Sequence, residues 1–341
     1  MGALRKAVLG LAVAGLLLLG LEGVLRGVLD RSALLFTGEH PASTMHFPEP
    51  GVAMPRPEVR SSRQDGPHTW LAEHDALGLR RSGEALSSSP APGTFRVLAL
   101  GDSWMYGIGA NQDATLPAQL EVLLPEALGQ AEVEVVNAGV PGGSAFEMLF
   151  WWQRLSATHH FDAVLLGKPH NRSRQEEVAT YRRAWYRSYG GAPAYDLLTY
   201  LVLRKVLVRF TRDPHPALSP GEDSRAAVQD VVNLAGEAEA MGLPVWMVFW
   251  PTTMEGALSG RHIDERAWYD ALDRVGVPYA GHALDQRSCW GFQDLFHPSE
   301  AGYRALAEVV SDLAATGTSH RQLLRAPTCT DVPGVGPGKG P

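Results

Sequence analysis

The chain has 341 residues, room for one good-sized domain with attachments or two small ones. Its 45% apolar and 20% charged residues support a substantial core and argue against global disorder. A formal net charge of −7, from 37 acidic against 30 basic side chains, argues against a nucleic-acid binder, which needs a basic face.

Arg5 and Lys6 precede AVLGLAVAGLLLLGL, an uncharged run of fifteen residues from Ala7 to Leu21. That is short for a span, but Glu22 and Arg26 stand four apart, where they pair on one helix face. Counting them in, Ala7 to Leu29 makes 23 residues, about 34 Å of helix, enough to cross a bilayer. The expectation is an N-terminal transmembrane helix with its basic end cytoplasmic. The rival is a cleaved signal peptide, because a positive n-region and an apolar h-region are both present. LEGVLRGVLDRS contains no A-x-A-like cleavage site, which favours the anchor. Either reading puts the body of the protein outside the cytoplasm, periplasmic, at the cell surface or secreted. Export also makes a disulfide between Cys289 and Cys329 feasible. Two unrelated thiols is the alternative, and a pair of cysteines supports neither a disulfide scaffold nor a Cys-based zinc site.

The organisation expected from composition is an anchor or signal peptide over 1–36, then a Pro/Ser-rich stalk or extended wrap over 37–92. A short ordered piece is expected within the latter around TWLAEHDALGLR. The folded domain then runs over 93–320, and 321–341 is a flexible tail. The GKG of that tail is not a phosphate loop, because the preceding Gly, the following Ser/Thr and a following helix are all missing.

Within the domain, strand-like and helix-like stretches alternate. The strands expected are 94–100, 133–139, 161–167, 243–250 and 277–281, each short, nearly continuously apolar and suited to burial on both faces. SRAAVQDVVNLAGEAEAMG places Val228, Val231, Val232 and Ala235 at helical spacing, and PSEAGYRALAEVVSDLAA does the same for Tyr303, Leu306, Val310 and Leu313. Such alternation implies a parallel sheet with helices on both faces, with sites at the carboxyl ends of the strands. The long crossover over 172–223 holds a helix candidate, 195–210, read either as a lid or membrane-surface helix or as a helix packed on the domain.

The first strand stops at Gly101-Asp102-Ser103. A serine hydroxyl is a poor nucleophile unless a base takes its proton and a third group orients that base. Adjacent His159 and His160 point to different faces, and no HExxH spacing occurs, so a metal site is unsupported. His297 lies in DLFHPSEAGY with Asp294 three residues before it, in a loop entering the last helix. That loop is able to return both to the sheet end that holds Ser103. A helix-entry turn with a surface histidine is the plain alternative.

Together, GDSW after an apolar strand and DxxHPSxxGY near the C-terminus resemble the SGNH (GDSL-type) hydrolase superfamily over about Asp75 to Leu313. The approach, DALGLRR before GTFRVLALGDSW, is similar to membrane-anchored bacterial members. The resemblance implies a three-layer α/β/α fold around a flavodoxin-like five-stranded parallel sheet. It also implies Ser103 as nucleophile, His297 as general base and Asp294 as its orienting acid. The family's oxyanion hole maps to the Ser103 N–H, a glycine N–H in NAGVPGGS and an asparagine side chain. The register puts the glycine at Gly142, with Gly139 and Gly143 as alternatives, and a glycine-rich strand-to-helix turn predicts the same residues. The asparagine match is Asn171, in LLGKPHNR, where the chain departs from the family's G-x-N-D: the loop is longer, Arg172 replaces the Asp, and His170 is a neighbouring donor. Asp102 suits a helix N-cap. Trp104 and Tyr106 either line an acyl pocket or pack on the sheet.

The function implied is a membrane-anchored serine esterase cleaving an ester on a small molecule, glycan or lipid, with no cofactor or metal. Two alternatives stand beside it. One is an O-acyltransferase using the same triad on an exported polysaccharide, and the other is a non-catalytic anchored binding module.

Overall fold

A computed structural model describes residues 10, 13, 15–24, 45–49, 52–65, 68–83, 85–169, 220–250, 265–280 and 297–319. The chain divides into two compact units, Met1–Gly51 with Val178–Leu218, and Val52–Glu177 with Ser219–Pro341.

In the first unit, residues 15–24 are helical and β1 covers Met45–Glu49. The transmembrane helix expected over Ala7–Leu29 is not found among the described residues, which cover only part of that stretch. Among the described residues no helix is long and apolar enough to cross a membrane.

The second unit opens with β2 (Val52–Pro55), β3 (Arg60–Asp65) and β4 (His68–Glu73). β3 and β4 form an antiparallel hairpin in which Arg60 faces Glu73, and their side chains pair at 2.9 Å. This structure falls in the stretch whose composition suggests a stalk or wrap.

The remaining strands are β5 (Thr94–Gly101), β6 (Glu132–Gly139), β7 (Ala163–Gly167), β8 (Val245–Val248) and β9 (Tyr279–Ala280). Each lies within two residues of its expected bounds or inside them. They form one sheet in the order β6-β5-β7-β8-β9, with every neighbouring pair parallel. Numbered among these five, the order is 2-1-3-4-5, the flavodoxin-like order.

The helices are α1 (Ser103–Tyr106), α2 (Leu116–Leu128), α3 (Ala145–Ser156), α4 (Pro220–Ala240), α5 (Glu265–Val275) and α6 (Glu300–Thr316). Successive strand residues point to opposite faces. Val97, Ala99, Ala163 and Leu165 accordingly share one core with Leu116, Leu120 and Leu124 of α2 and Tyr303, Leu306, Val310 and Leu313 of α6. Leu98, Leu100, Val164 and Leu166 alternate with them and are also buried. On α4, Val228, Val231 and Ala235 are buried as their spacing predicts, and the Trp152 indole of α3 donates to Glu237 of α4 at 2.8 Å. Burial on both sheet faces is what near-continuous Val/Leu strands are built for. The expected helix 195–210 lies outside the described residues.

Candidate active site

β5 runs apolar and buried to Gly101, and there the chain turns sharply. The Asp102 carboxylate accepts the Trp104 N–H at 2.9 Å, capping α1 at its first turn. Gly101 is required by close packing, since a Cβ there would stand 2.7 Å from Met105 Cβ. Gly107 closes the turn with φ +91°, and its N–H returns to the Ser103 carbonyl. Asp102 and Trp104 are buried on either side of Ser103, which alone of the three is half-exposed. The turn therefore presents one hydroxyl.

His297 reaches that hydroxyl. Its Nε2 lies 2.9 Å from Ser103 Oγ, a pairing across 194 residues of sequence, and the imidazole is buried. The histidine is held by the entry of α6. Ser299 caps the helix by accepting the Gly302 N–H at 3.3 Å. The Glu300 carboxylate accepts both the backbone and side-chain N–H of Asn111, each at 3.0 Å. Tyr303 then donates its hydroxyl to the Ile108 carbonyl at 2.9 Å. Both Asn111 and Ile108 lie a few residues beyond Ser103, so His297 and Ser103 share one scaffold.

Gly139, Gly142 and Gly143, the three glycines weighed for an oxyanion role, differ in geometry. Gly139 donates its N–H to Asn137 Oδ1 at 3.0 Å. Gly143 donates to the Val140 carbonyl at 2.8 Å. Both are buried, whereas Gly142 is exposed with φ +67°. Behind them Ser144 and Glu147 form a capping box that starts α3. At the end of β7, Lys168 is buried, donates its N–H to the Val248 carbonyl at 2.9 Å and places Nζ 5.6 Å from the Phe249 ring. Asp294, Asn171, His170, Arg172, Cys289 and Cys329 lie outside the described residues.

Trp104 and Tyr106 are packing residues here. Trp104 stacks on Trp250 with ring centroids 5.6 Å apart, and both are buried. The Tyr106 hydroxyl meets His74 Nε2 at 2.8 Å, while the other ring nitrogen of His74 meets the Arg56 carbonyl at 2.8 Å. His159 and His160 have local partners, Thr158 at 2.8 Å and Asp162 at 3.3 Å. Among the described residues no group of three or more His, Cys, Asp or Glu is placed to hold a metal ion.

The residue that sequence reasoning passed over is Arg80. It is 2% exposed, and burial lowers its pKa from the ordinary arginine value. The signal was present in DALGLRR, where an arginine follows a glycine-marked apolar turn. Asp75 builds that turn by accepting the N–H groups of Leu77 and Leu79 at 2.9 and 3.0 Å, and burial raises its pKa.

No family model and no curated protein matches the chain. Solved structures do. A lipase/acylhydrolase from Enterococcus faecalis is 16% identical, covering 64% of this chain and 95% of its own, with a TM-score of 0.41. The psychrotrophic esterase EstA from Pseudoalteromonas sp. is 14% identical, covering 64% and 94%, with a TM-score of 0.40. A catalytic mutant of the acetylxylan esterase Axe2 from Geobacillus stearothermophilus is 13% identical, covering 66% and 95%, with a TM-score of 0.39. The chain is similar to these lipases and esterases, and to lipolytic proteins of the G-D-S-L family among them.

Proposed function

We propose that this protein is an SGNH-type serine esterase. The observation that carries the reading is the 2.9 Å contact between Ser103 Oγ and His297 Nε2 at the carboxyl edge of a parallel sheet. Ser103 attacks the ester carbonyl carbon as its proton passes to His297 Nε2. The tetrahedral intermediate collapses, the C–O bond to the alcohol breaks, and His297 returns the proton to the departing oxygen. Water then attacks the acyl-serine, giving its proton to His297, and the carboxylic acid leaves as Ser103 recovers a proton.

Asp294 is assigned to hold the His297 tautomer, as the resemblance of DxxHPSxxGY to the SGNH hydrolases implies. The oxyanion donors are assigned to the Ser103 N–H, the Gly142 N–H and the Asn171 side chain. Of these, Gly142 is the position that the register of the resemblance gives, and it is exposed with a left-handed backbone. The substrate class is an ester, with an acyl group on a glycan or lipid as its natural setting. We place the enzyme outside the cytoplasm, directed there by its apolar N-terminus as anchor or signal peptide. Leu16 and Leu17, each 70% exposed, accord with a segment that meets an apolar partner.

The test is labelling by a serine-reactive fluorophosphonate, together with hydrolysis of a short-chain aryl ester. Wild type is expected to take the label and turn over, and Ser103→Ala to do neither. Wild-type protein that does neither would sink the reading.

A further inference from the structure

We infer that Arg80 is a positioning residue that braces the nucleophile turn, so that the segment before the sheet belongs to the catalytic apparatus. This rests on the esterase reading, and it goes further by assigning a function to a residue outside the Ser-His-Asp set.

The guanidinium has five N–H donors in a rigid fork, and Arg80 uses it on five acceptors. Nη1 donates to the Tyr106 carbonyl at 2.9 Å and to the Gly107 carbonyl. Nη2 donates to the Leu71 carbonyl at 3.1 Å and to the Ala110 carbonyl. Nε donates to Gln112 Oε1 at 3.3 Å. The planar group also lies 4.7 Å from the Tyr106 ring centroid and 5.3 Å from that of Trp70. A buried charge normally demands an opposite charge. None of the ion pairs among the described residues includes Arg80. Its compensation comes instead from converging carbonyl dipoles and two aromatic faces.

Three of those carbonyls belong to the turn that carries Ser103. Tyr106 is the last residue of α1, and Gly107 and Ala110 follow it. The same turn is closed on the nucleophile itself, because the N–H groups of Gly107 and Ile108 both donate to the Ser103 carbonyl, at 3.0 and 3.1 Å. A shift of the Tyr106–Gly107 carbonyls therefore reaches Ser103 through a single turn of backbone.

Arg80 is also tied to the opposite wall of the site. Its own N–H donates to the Asn137 carbonyl at 3.1 Å, and the Asn137 amide donates to the Tyr106 carbonyl at 3.2 Å. Asn137 opens NAGVPGG, the segment that leads to Gly142. Arg80 thus links three segments: its side chain holds the β3–β4 hairpin to the nucleophile turn, and its main-chain N–H holds the strand end that leads to the proposed oxyanion glycine. It sets the distance between attacking hydroxyl and oxyanion donor without touching substrate. A misplacement of about 1 Å in such a pair costs about 10²-fold in rate.

The test uses the full chain and three variants: Arg80→Ala, Arg80→Lys and, as a stability control, Leu124→Ala in the core of α2. Lysine keeps the charge but is a point donor that does not span the five acceptors. Aryl-ester kinetics are measured well below each melting temperature. The expected result is kcat down about 10²-fold in Arg80→Ala and at least tenfold in Arg80→Lys, KM within twofold, and Leu124→Ala near wild type. If Arg80→Ala does not fold, Arg80→Lys decides. A folded Arg80 variant with wild-type kcat overturns the inference. Amide exchange at Gly107 and Ile108 supplies a readout independent of activity. Faster exchange in Arg80→Lys supports the brace and unchanged exchange refutes it, even if wild type proves inactive and the esterase reading alone falls.

Discussion

The two halves of the Ser103–His297 pair are held by different means. Ser103 sits in a four-residue turn whose carbonyls are gripped from outside by Arg80 and Asn137, with Asp102 capping its start. His297 sits just before a seventeen-residue helix, and its position follows from how α6 docks through Glu300, Tyr303 and a buried apolar face. A short turn has too few internal bonds to hold itself and needs external donors. A long amphipathic helix carries its own hydrogen bonds and needs only a surface and a few latches. The lesson is that Ser103 is placed by polar contacts from distant segments, and His297 by a packed helix with a few polar latches.

Removing either member of the pair tests the comparison most severely. Ser103→Ala and His297→Ala are each expected to lower kcat/KM on a short aryl ester by about 10⁴-fold or more. Melting temperature should stay close to wild type, because neither side chain belongs to a core cluster. Comparable loss in both variants, read by steady-state kinetics, marks a unit that works only when intact.

Glu300→Ala attacks the base side through its latch. It leaves two Asn111 N–H groups without their acceptor, which costs about 1–3 kcal/mol, measured by denaturant melts. Because Glu300 stands three residues after His297, kcat should fall along with stability. Asp102→Ala attacks the nucleophile side at its cap and should cost about 1 kcal/mol. Its fluorophosphonate labelling rate should fall less than that of Glu300→Ala, since Arg80 and Asn137 still hold the far end of the turn. The reverse order would mean that the cap, not the brace, positions Ser103.

The smallest effect lies away from both halves. Burial on α4 raises the Asp230 pKa from 3.8 to about 6. Between those values the folded state binds more protons than the unfolded one, so stability falls as pH rises from about 4 to about 6 and is level above. Asp230→Asn should flatten that slope in melts recorded across pH 4 to 7, with kcat unchanged. A retained slope would assign it to another carboxyl group.

Much of the sheet was legible because strands buried on both faces leave a distinct mark, a short run of Val, Leu and Ala ended by Gly. TFRVLALG and FDAVLLG are such runs, and each became a strand within two residues of its reading. The α6 face was legible for a related reason, since Tyr303, Leu306, Val310 and Leu313 repeat at helical spacing and are fully buried. Ser103 and His297 were legible as a pair only through the resemblance. Neither motif alone distinguishes a reactive side chain from a turn or helix-entry residue.

Arg80 shows where such reading stops. Four of its five acceptors are backbone carbonyls, of Leu71, Tyr106, Gly107 and Ala110, and a carbonyl has no letter in the sequence. The register of the resemblance singled out Gly142 over Gly139 and Gly143, but the φ of +67° and the exposure that set it apart are properties of the folded chain. The apolar Ala7–Leu21 run is a reading of composition, whereas a span also needs continuous helix of sufficient length, and among the described residues no helix is long and apolar enough.

By itself, then, the sequence determined the parallel α/β architecture, the strand and helix faces and the two residues to suspect, because periodicity and side-chain chemistry are local properties. Only the tertiary structure decided that His297 meets Ser103 at 2.9 Å, which of the three glycines is exposed and what holds the turn after Ser103. Those facts depend on backbone groups and directions brought together across as many as 194 residues, and only the folded chain brings them together.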